Sequence, residues 1–218
     1  MKIRKDKPVF VSAVLLAAGE SKRTGRAKLL LPFGSSTILG QTIDNLLSSR
    51  VDEVIVVLGS EAQEMKKAMA GKPVKVVFNP DYRQGMGTSL VCGLKQVSSQ
   101  AHGIMVALAD QPLIDKETYN RLIEESLVLE KGIIIPTYQA KRGNPIIFSI
   151  SYKRELLGLE GDVGGREIVR RHPDDVLEVA VGSESVNINI NTMEEYYSRL
   201  KLANQEGRQI DAKKSQIR

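Results

Sequence analysis

Cysteine is nearly absent from this 218-residue chain. The single thiol, Cys92, can neither close an internal disulfide nor build a thiolate metal centre alone, which excludes a disulfide-stapled scaffold and a Cys-type zinc site. That scarcity favours a cytoplasmic location. Long apolar runs are missing as well. None approaches the roughly 18–20 residues that a helical span requires, so neither a transmembrane helix nor a membrane partner is expected. Aromatic residues are scarce at 5%, and the excess behind the net charge of +5 sits at the two ends. Residues 1–28 hold eight Lys/Arg against two Asp/Glu, and residues 199–218 hold six against two, which leaves the body acidic. A nucleic-acid binder carries a basic face with aromatics interleaved, so this distribution argues against one. Neither G-x-x-x-x-G-K-[ST] nor G-x-G-x-x-G occurs, which excludes a Walker P-loop and a dinucleotide fingerprint. Histidine is limited to His102, ahead of an apolar run, and His172, at the end of a helical one; both read as structural.

What is present is an alternation of short β-rich runs and amphipathic stretches. Residues 11–17 (VSAVLLA), 53–59, 74–79 and 103–109 are continuous apolar runs of strand length. Helical spacing follows each of them, over 37–49, 60–71, 88–99 and 115–132, with Thr37 and Asp115 as N-caps and Gly71 and Gly132 as terminators. Successive β-then-α units with strands buried on both faces predict a three-layer α/β/α fold around a mostly parallel sheet. Beyond residue 132 the rhythm changes. Short strands at 132–139, 144–149, 176–181 and 186–190 (VNINI) predict an antiparallel excursion of the same sheet. No linker divides the chain, so residues 1–200 are expected to form one domain and 201–218 a charged, flexible tail.

The segment VFVSAVLLAAGESKRTGRAK (9–28) has two readings. A basic start followed by an apolar run and small residues is the pattern of a secretory leader. A buried strand entering a Gly-rich basic loop is the pattern of a phosphate site, since ligands of open α/β sheets bind beyond the carboxyl ends of the strands. The second reading is adopted, because cleavage would remove the first strand and because Arg23 and Lys28 follow the apolar run. Gly19 and Gly25 allow close backbone approach, and Lys22, Arg23, Arg26 and Lys28 meet negative charge.

LLAAGESKRTGRAKLLLPFG resembles the L-A-A-G-x-S-x-R-x-G-x-x-K-L signature of nucleotidyltransferases with a Rossmann-like fold. Within them the chain most resembles the molybdenum cofactor cytidylyltransferases and related molybdenum-hydroxylase accessory proteins. The resemblance continues in order through NPDYRQGMGTSLVCGL (79–94), ALADQPLI (107–114), RGNPIIF (142–148), GDVGGREIV (161–169) and NINTMEEY (189–196), covering roughly residues 9–200.

The resemblance implies transfer of CMP from CTP to the phosphate of molybdopterin, with release of pyrophosphate and a requirement for Mg²⁺. Because two anions must meet, the catalyst's task is charge neutralisation and in-line positioning. By that analogy Ala17, Ala18 and Gly19 approach the nucleotide, Arg23 holds the β- and γ-phosphates, and Lys28 stands at the α-phosphate. Asp110, directly after an apolar strand, would hold Mg²⁺ with substrate phosphates. Gln84, Gly87 and Ser89 fall on the base and ribose side. Arg142, Asn144, Asp162, Arg166 and Asn189 fall around the pterin. Docking to a molybdenum hydroxylase is implied too.

Two departures bear on this. Thr24 stands where the family has a larger apolar residue, and Asn189, Asn191 and Met193 replace the D-I-D-T-P pattern of cytidylyltransferases. Carboxamides bind a metal more weakly than carboxylates, and guanylyl-transferring relatives carry asparagine there. Ala18 points the other way, since those relatives have glycine at its position, opening room for a purine. Guanylyl transfer, a sugar- or isoprenoid-phosphate acceptor, and a non-catalytic cofactor carrier stay open as alternatives.

Overall fold

The computed structural model describes residues 9–20, 27–128 and 131–201. Its first strand, β1 (Val11–Ala17), lies at the centre of the main sheet, with alternate side chains feeding cores on opposite faces. Val11, Ala13, Leu15 and Ala17 join one core, and Val14 and Ala18 join the other. Such two-sided burial is why the run is continuously apolar instead of alternating. A short hairpin, β2 (Pro32–Phe33) with β3 (Ser36–Thr37), precedes helix α1 (Ile38–Leu47). Thr37 caps that helix by accepting the Gly40 N–H at 3.0 Å.

Strand β4 (Glu53–Leu58), helix α2 (Ala62–Ala68), strand β5 (Lys75–Phe78), helix α3 (Met86–Leu94), strand β6 (Gly103–Leu108) and helix α4 (Lys116–Val128) complete the β-then-α series. Asp115 caps α4 through the Thr118 N–H at 2.8 Å. Then come β7 (Ile133–Tyr138), β8 (Lys141–Arg142), β9 (Ile146–Ser149), α5 (Lys153–Leu157), α6 (Arg166–Arg171) and β10 (Val176–Ala180). A last helix spans 193–201, and the remainder of the expected tail lies outside the described residues.

In space the strands run β10–β7–β9–β6–β1–β4–β5, with β8 paired to β7. The β1–β4, β4–β5, β1–β6 and β7–β10 pairs are parallel, whereas β9 is antiparallel to both β6 and β7. The sheet is therefore mostly parallel with an antiparallel excursion in the C-terminal half, as the sequence predicts. Helices α1 and α4 cover one face, through Ile43, Leu46, Tyr119 and Leu122 among others. Helices α3, α5 and α6 cover the other, through Leu90, Leu94, Leu156 and Ile168. At Gly93 helix α3 touches the sheet directly: a Cβ there would lie 2.5 Å from Val14 Cγ1 and 2.8 Å from Val57 Cγ2.

Two expectations are corrected. Strand β5 is not buried on both faces, because it forms the sheet edge and leaves Val76 and Phe78 exposed. Residues 186–190 are not a strand. Their alternation of apolar and polar residues buries Val186 and Ile190, but the backbone groups bond outside any ladder. The Val186 carbonyl accepts the Asn144 N–H, and the Ile190 N–H donates to the Asp110 carbonyl.

Both histidines have structural partners. His102 Nδ1 accepts the Phe10 N–H at 3.2 Å. His172 sits 2.8 Å from the Glu155 carboxylate and meets the Tyr152 ring edge-on at 5.0 Å between centroids. Tyr152 in turn donates its hydroxyl to Asp175 at 2.5 Å, and Asp175 also accepts the Gly132 N–H at 2.9 Å. No helix of the described residues is long and apolar enough to cross a membrane.

Candidate nucleotide-binding site

The strand order places β5, β4, β1 and β6 side by side, so successive crossovers reverse direction between β1 and β6. Chain leaving those two carboxyl ends diverges and opens a crevice there. A pocket of about 410 Å³ occupies that position. Its floor is the end of β1 with Ala17, Ala18 and Gly19, and the end of β6 with Ala109 and Asp110. Lys28 enters from the short helical turn after the basic loop (Lys28–Leu30).

The polar centre of the pocket is a connected set of side chains. Lys28 Nζ lies 3.0 Å from Asp110 Oδ2 and 3.3 Å from Asn191 Oδ1. Asn189 donates Nδ2 to Asp110 Oδ1 at 3.0 Å. The Lys28 and Asp110 side chains are 14% and 18% exposed, sheltered enough for Coulombic attraction to matter and open enough for a ligand to reach them. The segment carrying both asparagines is held by a capping box at the start of the last helix. Glu195 accepts the Asn191 and Thr192 N–H groups at 2.6 and 3.0 Å, and Thr192 Oγ1 accepts the Glu195 N–H at 3.1 Å.

One wall comes from the start of α3 and the loop before α6. Asp162 accepts the Met86 N–H at 3.1 Å, and the Gly161 carbonyl accepts the Gly87 N–H at 3.0 Å. Contact is so close that a Cβ on Gly85 would lie 2.5 Å from the backbone of Gly161 and Asp162. Buried Ser89 lines the same wall and accepts from Asn79 Nδ2 at 2.9 Å.

The expected site residues thus divide. Ala17, Ala18, Gly19, Lys28, Ser89, Asp110, Asp162 and Asn189 line one pocket. Gly87 lies behind its wall, and exposed Gln84 points its amide to Asp81 at 2.8 Å. Arg142 on β8 pairs with Glu178 at 2.7 Å, Asn144 bonds through its backbone to Val186, and Arg166 is exposed at the start of α6; none of the three lines this pocket. Lys22, Arg23, Thr24 and Arg26 lie outside the described residues. Glu20, Tyr82 and Met86 line the pocket without having been singled out in the sequence. Glu195 was missed although its T-x-x-E spacing was legible, and Gln111 was not singled out although it lies in the ALADQPLI block beside Asp110.

Among the described residues no three His, Cys, Asp or Glu side chains cluster as a metal cage. The oxygen donors beside Lys28 are the Asp110 carboxylate and the Asn191 carboxamide, with the Glu20 and Asp162 carboxylates elsewhere on the lining. That set fits a hard divalent cation taking only one or two protein oxygens, with water and substrate phosphates completing its shell, as Mg²⁺ does. A lysine against that carboxylate adds the positive charge a phosphate needs.

Known proteins similar to this chain carry the names of both an oxidoreductase and a nucleotidyltransferase. Nicotine blue oxidoreductase of Paenarthrobacter nicotinovorans is 31% identical over 198 residues, covering 87% of this chain and 96% of that protein. Molybdenum cofactor cytidylyltransferase of Escherichia coli K12 is 28% identical over 140 residues, covering 64% of this chain and 70% of that one. Among solved structures, Rv0371c of Mycobacterium tuberculosis H37Rv superposes with a TM-score of 0.81 at 33% identity, covering 89% of this chain and 99% of that one. Its manganese complex gives 0.77 at 32%, covering 89% and 100%. The fold is that of Rossmann-like nucleotidyltransferases. The family model of the MobA-like NTP transferase domain matches residues 13–176, a span that runs from β1 to the start of β10 and includes Lys28 and Asp110, and the chain belongs to that family.

Proposed function

We propose that this nucleotidyltransferase moves CMP from CTP to the phosphate of a molybdopterin-type acceptor, with Mg²⁺ as its metal. In that reaction an acceptor phosphate oxygen bonds to the α-phosphorus of CTP while the bond from that phosphorus to the bridging oxygen breaks, and pyrophosphate leaves. The observation that carries the reading is the meeting of Lys28 and Asp110 at the pocket floor, 3.0 Å apart. Lys28 neutralises the α-phosphate, where charge accumulates as the bonds exchange. Asp110, with a carboxamide oxygen beside it, holds Mg²⁺, which when bound supplies charge neutralisation for the phosphates. Ala17, Ala18 and Gly19 form the backbone floor against the nucleotide, and Arg23 in the basic loop holds the β- and γ-phosphates.

Nucleotidyl transfer is preferred to the redox activity in one relative's name because the pocket's polar groups suit phosphate and a hard cation. The chain also lacks the G-x-G-x-x-G spacing a dinucleotide uses. Asn189 and Asn191 in place of aspartates favour a second reading, guanylyl transfer to the same acceptor, whereas Ala18 supports cytosine. Incubation with Mg²⁺, molybdopterin and each of the four nucleoside triphosphates decides between them. CTP is expected to give the fastest pyrophosphate release, and Asp110→Ala to abolish it while leaving the circular dichroism spectrum unchanged. Release with GTP alone would replace the first reading by the second. Release from no nucleotide would favour a cofactor carrier.

A further inference from the structure

Gln111 is 1% exposed and lies directly behind the site, one residue after Asp110. Its Nε2 donates to the Val186 carbonyl at 3.1 Å and to Asn189 Oδ1 at 3.3 Å. A main-chain carbonyl only accepts, so the Gln111 atom facing Val186 must be its nitrogen. The same nitrogen then requires Asn189 to turn its oxygen toward Gln111 and its nitrogen toward Asp110. The carboxylate, which only accepts, imposes the same orientation from the other end. Chemistry at both ends therefore fixes the direction of the Asn189 amide.

This has a cost that packing alone would not incur. Gln111 Oε1 is buried without a hydrogen-bond partner among the described residues. An unpaired buried acceptor loses about 1–3 kcal/mol, which an isosteric methionine would avoid. We infer that Gln111 is a positioning residue: it locks Asn189 as a donor to Asp110, and so holds that carboxylate in the orientation in which it meets Lys28 and a divalent cation. The Asn189 oxygen is thereby committed to Gln111, and the carboxamide oxygen turned toward the Lys28–Asp110 pair is that of Asn191. The inference rests on the reading of Asp110 as the cation's ligand.

The test uses the full chain with Mn²⁺ as probe, titrated with and without CTP and followed by the paramagnetic resonance signal of the free ion. Gln111→Met and Gln111→Glu are expected to bind Mn²⁺ about 10-fold more weakly or worse, the loss typical of partners behind a metal ligand. Pyrophosphate release should lose kcat by a similar factor, with KM for CTP little changed. If both variants keep wild-type Mn²⁺ affinity and kcat and lose only melting temperature, Gln111 is merely structural and the inference is overturned. Should Gln111→Glu fail to fold, Gln111→Met decides alone, since it keeps the volume and removes the donor. Asp110→Ala separates the two levels. Lost Mn²⁺ binding in that variant, beside unchanged binding in Gln111→Met, sinks only the Gln111 role. Unchanged Mn²⁺ binding in Asp110→Ala sinks the reading of Asp110, and the positioning role with it.

Discussion

Lys28 and Asp110 are 82 positions apart in the chain, and their side chains meet at 3.0 Å where the ends of β1 and β6 diverge. Lys28→Met removes the cation and keeps the stem's apolar packing. The expected result is a fall of about 10²–10³ in kcat for pyrophosphate release, the usual loss when one charge-stabilising group is deleted. The melting temperature should fall as well, because Asp110, only 18% exposed, loses its cation and keeps the Asn189 amide as a side-chain partner. A large drop in melting temperature with kcat preserved would make the pair a structural strut.

Gly85 has φ 119° and ψ 176°, a backbone state open essentially to glycine alone. It also touches the backbone of Gly161 and Asp162. Gly85→Ala therefore combines strain with a collision that no side-chain rotation relieves. Loss of the order of 2 kcal/mol in stability is expected, together with weaker binding of CTP, because the displaced loop carries Asp162 into the pocket wall. Denaturant unfolding and a nucleotide titration on the same sample check both parts.

Gly93 offers a different test, since its backbone is helical and only space is at issue. Alanine there gains up to about 1 kcal/mol in helix propensity. It meets methyl groups of Val14 and Val57 on the sheet, and overpacking of a filled core costs about 1–3 kcal/mol. Gly93→Ala is expected to be destabilising on balance, and Val57→Ala in the same chain to restore part of the loss. A stabilised single variant would mean that α3 moves off the sheet freely.

Tyr152 and Asp175 make stability depend on pH at both extremes. Burial, then the hydrogen bond to Asp175, pushes the Tyr152 hydroxyl up to about 12. A raised folded-state value favours the native state below the ordinary tyrosine value of about 10. That contribution is lost as pH rises from there toward 12. The Tyr152 hydrogen bond, reinforced by the Gly132 N–H, holds Asp175 below the usual carboxylate range against the opposing effect of burial. Its contribution is present above about pH 4 and lost as pH falls through the lowered value. Tyr152→Phe should flatten the alkaline limb of a melting-temperature profile and make the acid limb shallower. Unchanged limbs would show that the pair carries no linkage.

Much of the fold was legible because two-sided burial leaves continuous apolar runs. β1, β4 and β6 were readable from VSAVLLA, EVIVVLG and GIMVALA for that reason. β5 reads the same way in VKVVFN although it is an edge strand, since apolar composition does not say how many faces are covered. The segment 186–190 misled through period-two alternation: its backbone partners, Asn144 and Asp110, are remote in the chain, and no local pattern announces them. Lys28 and Asp110 could be singled out individually by loop charge and strand-end position. Their contact, and the orientation that Gln111 imposes on Asn189, depend on amide and carboxyl groups brought together only by the folded sheet.

The reversed strand β9 has an architectural consequence. With β6 and β7 both antiparallel to it, β7 and β10 point the same way as β1 and β6. The exit of β7, the β8 turn and the entry to β9 consequently reach the same rim of the sheet as Lys28 and Asp110. One rim thus carries two neighbouring features: the crevice between β1 and β6, to which the C-terminal half adds Asp162, Asn189 and Asn191, and a bank of loops at β7, β8 and β9. Changes in that bank can therefore alter the rim beside the crevice while the lysine and the aspartate stay where they are.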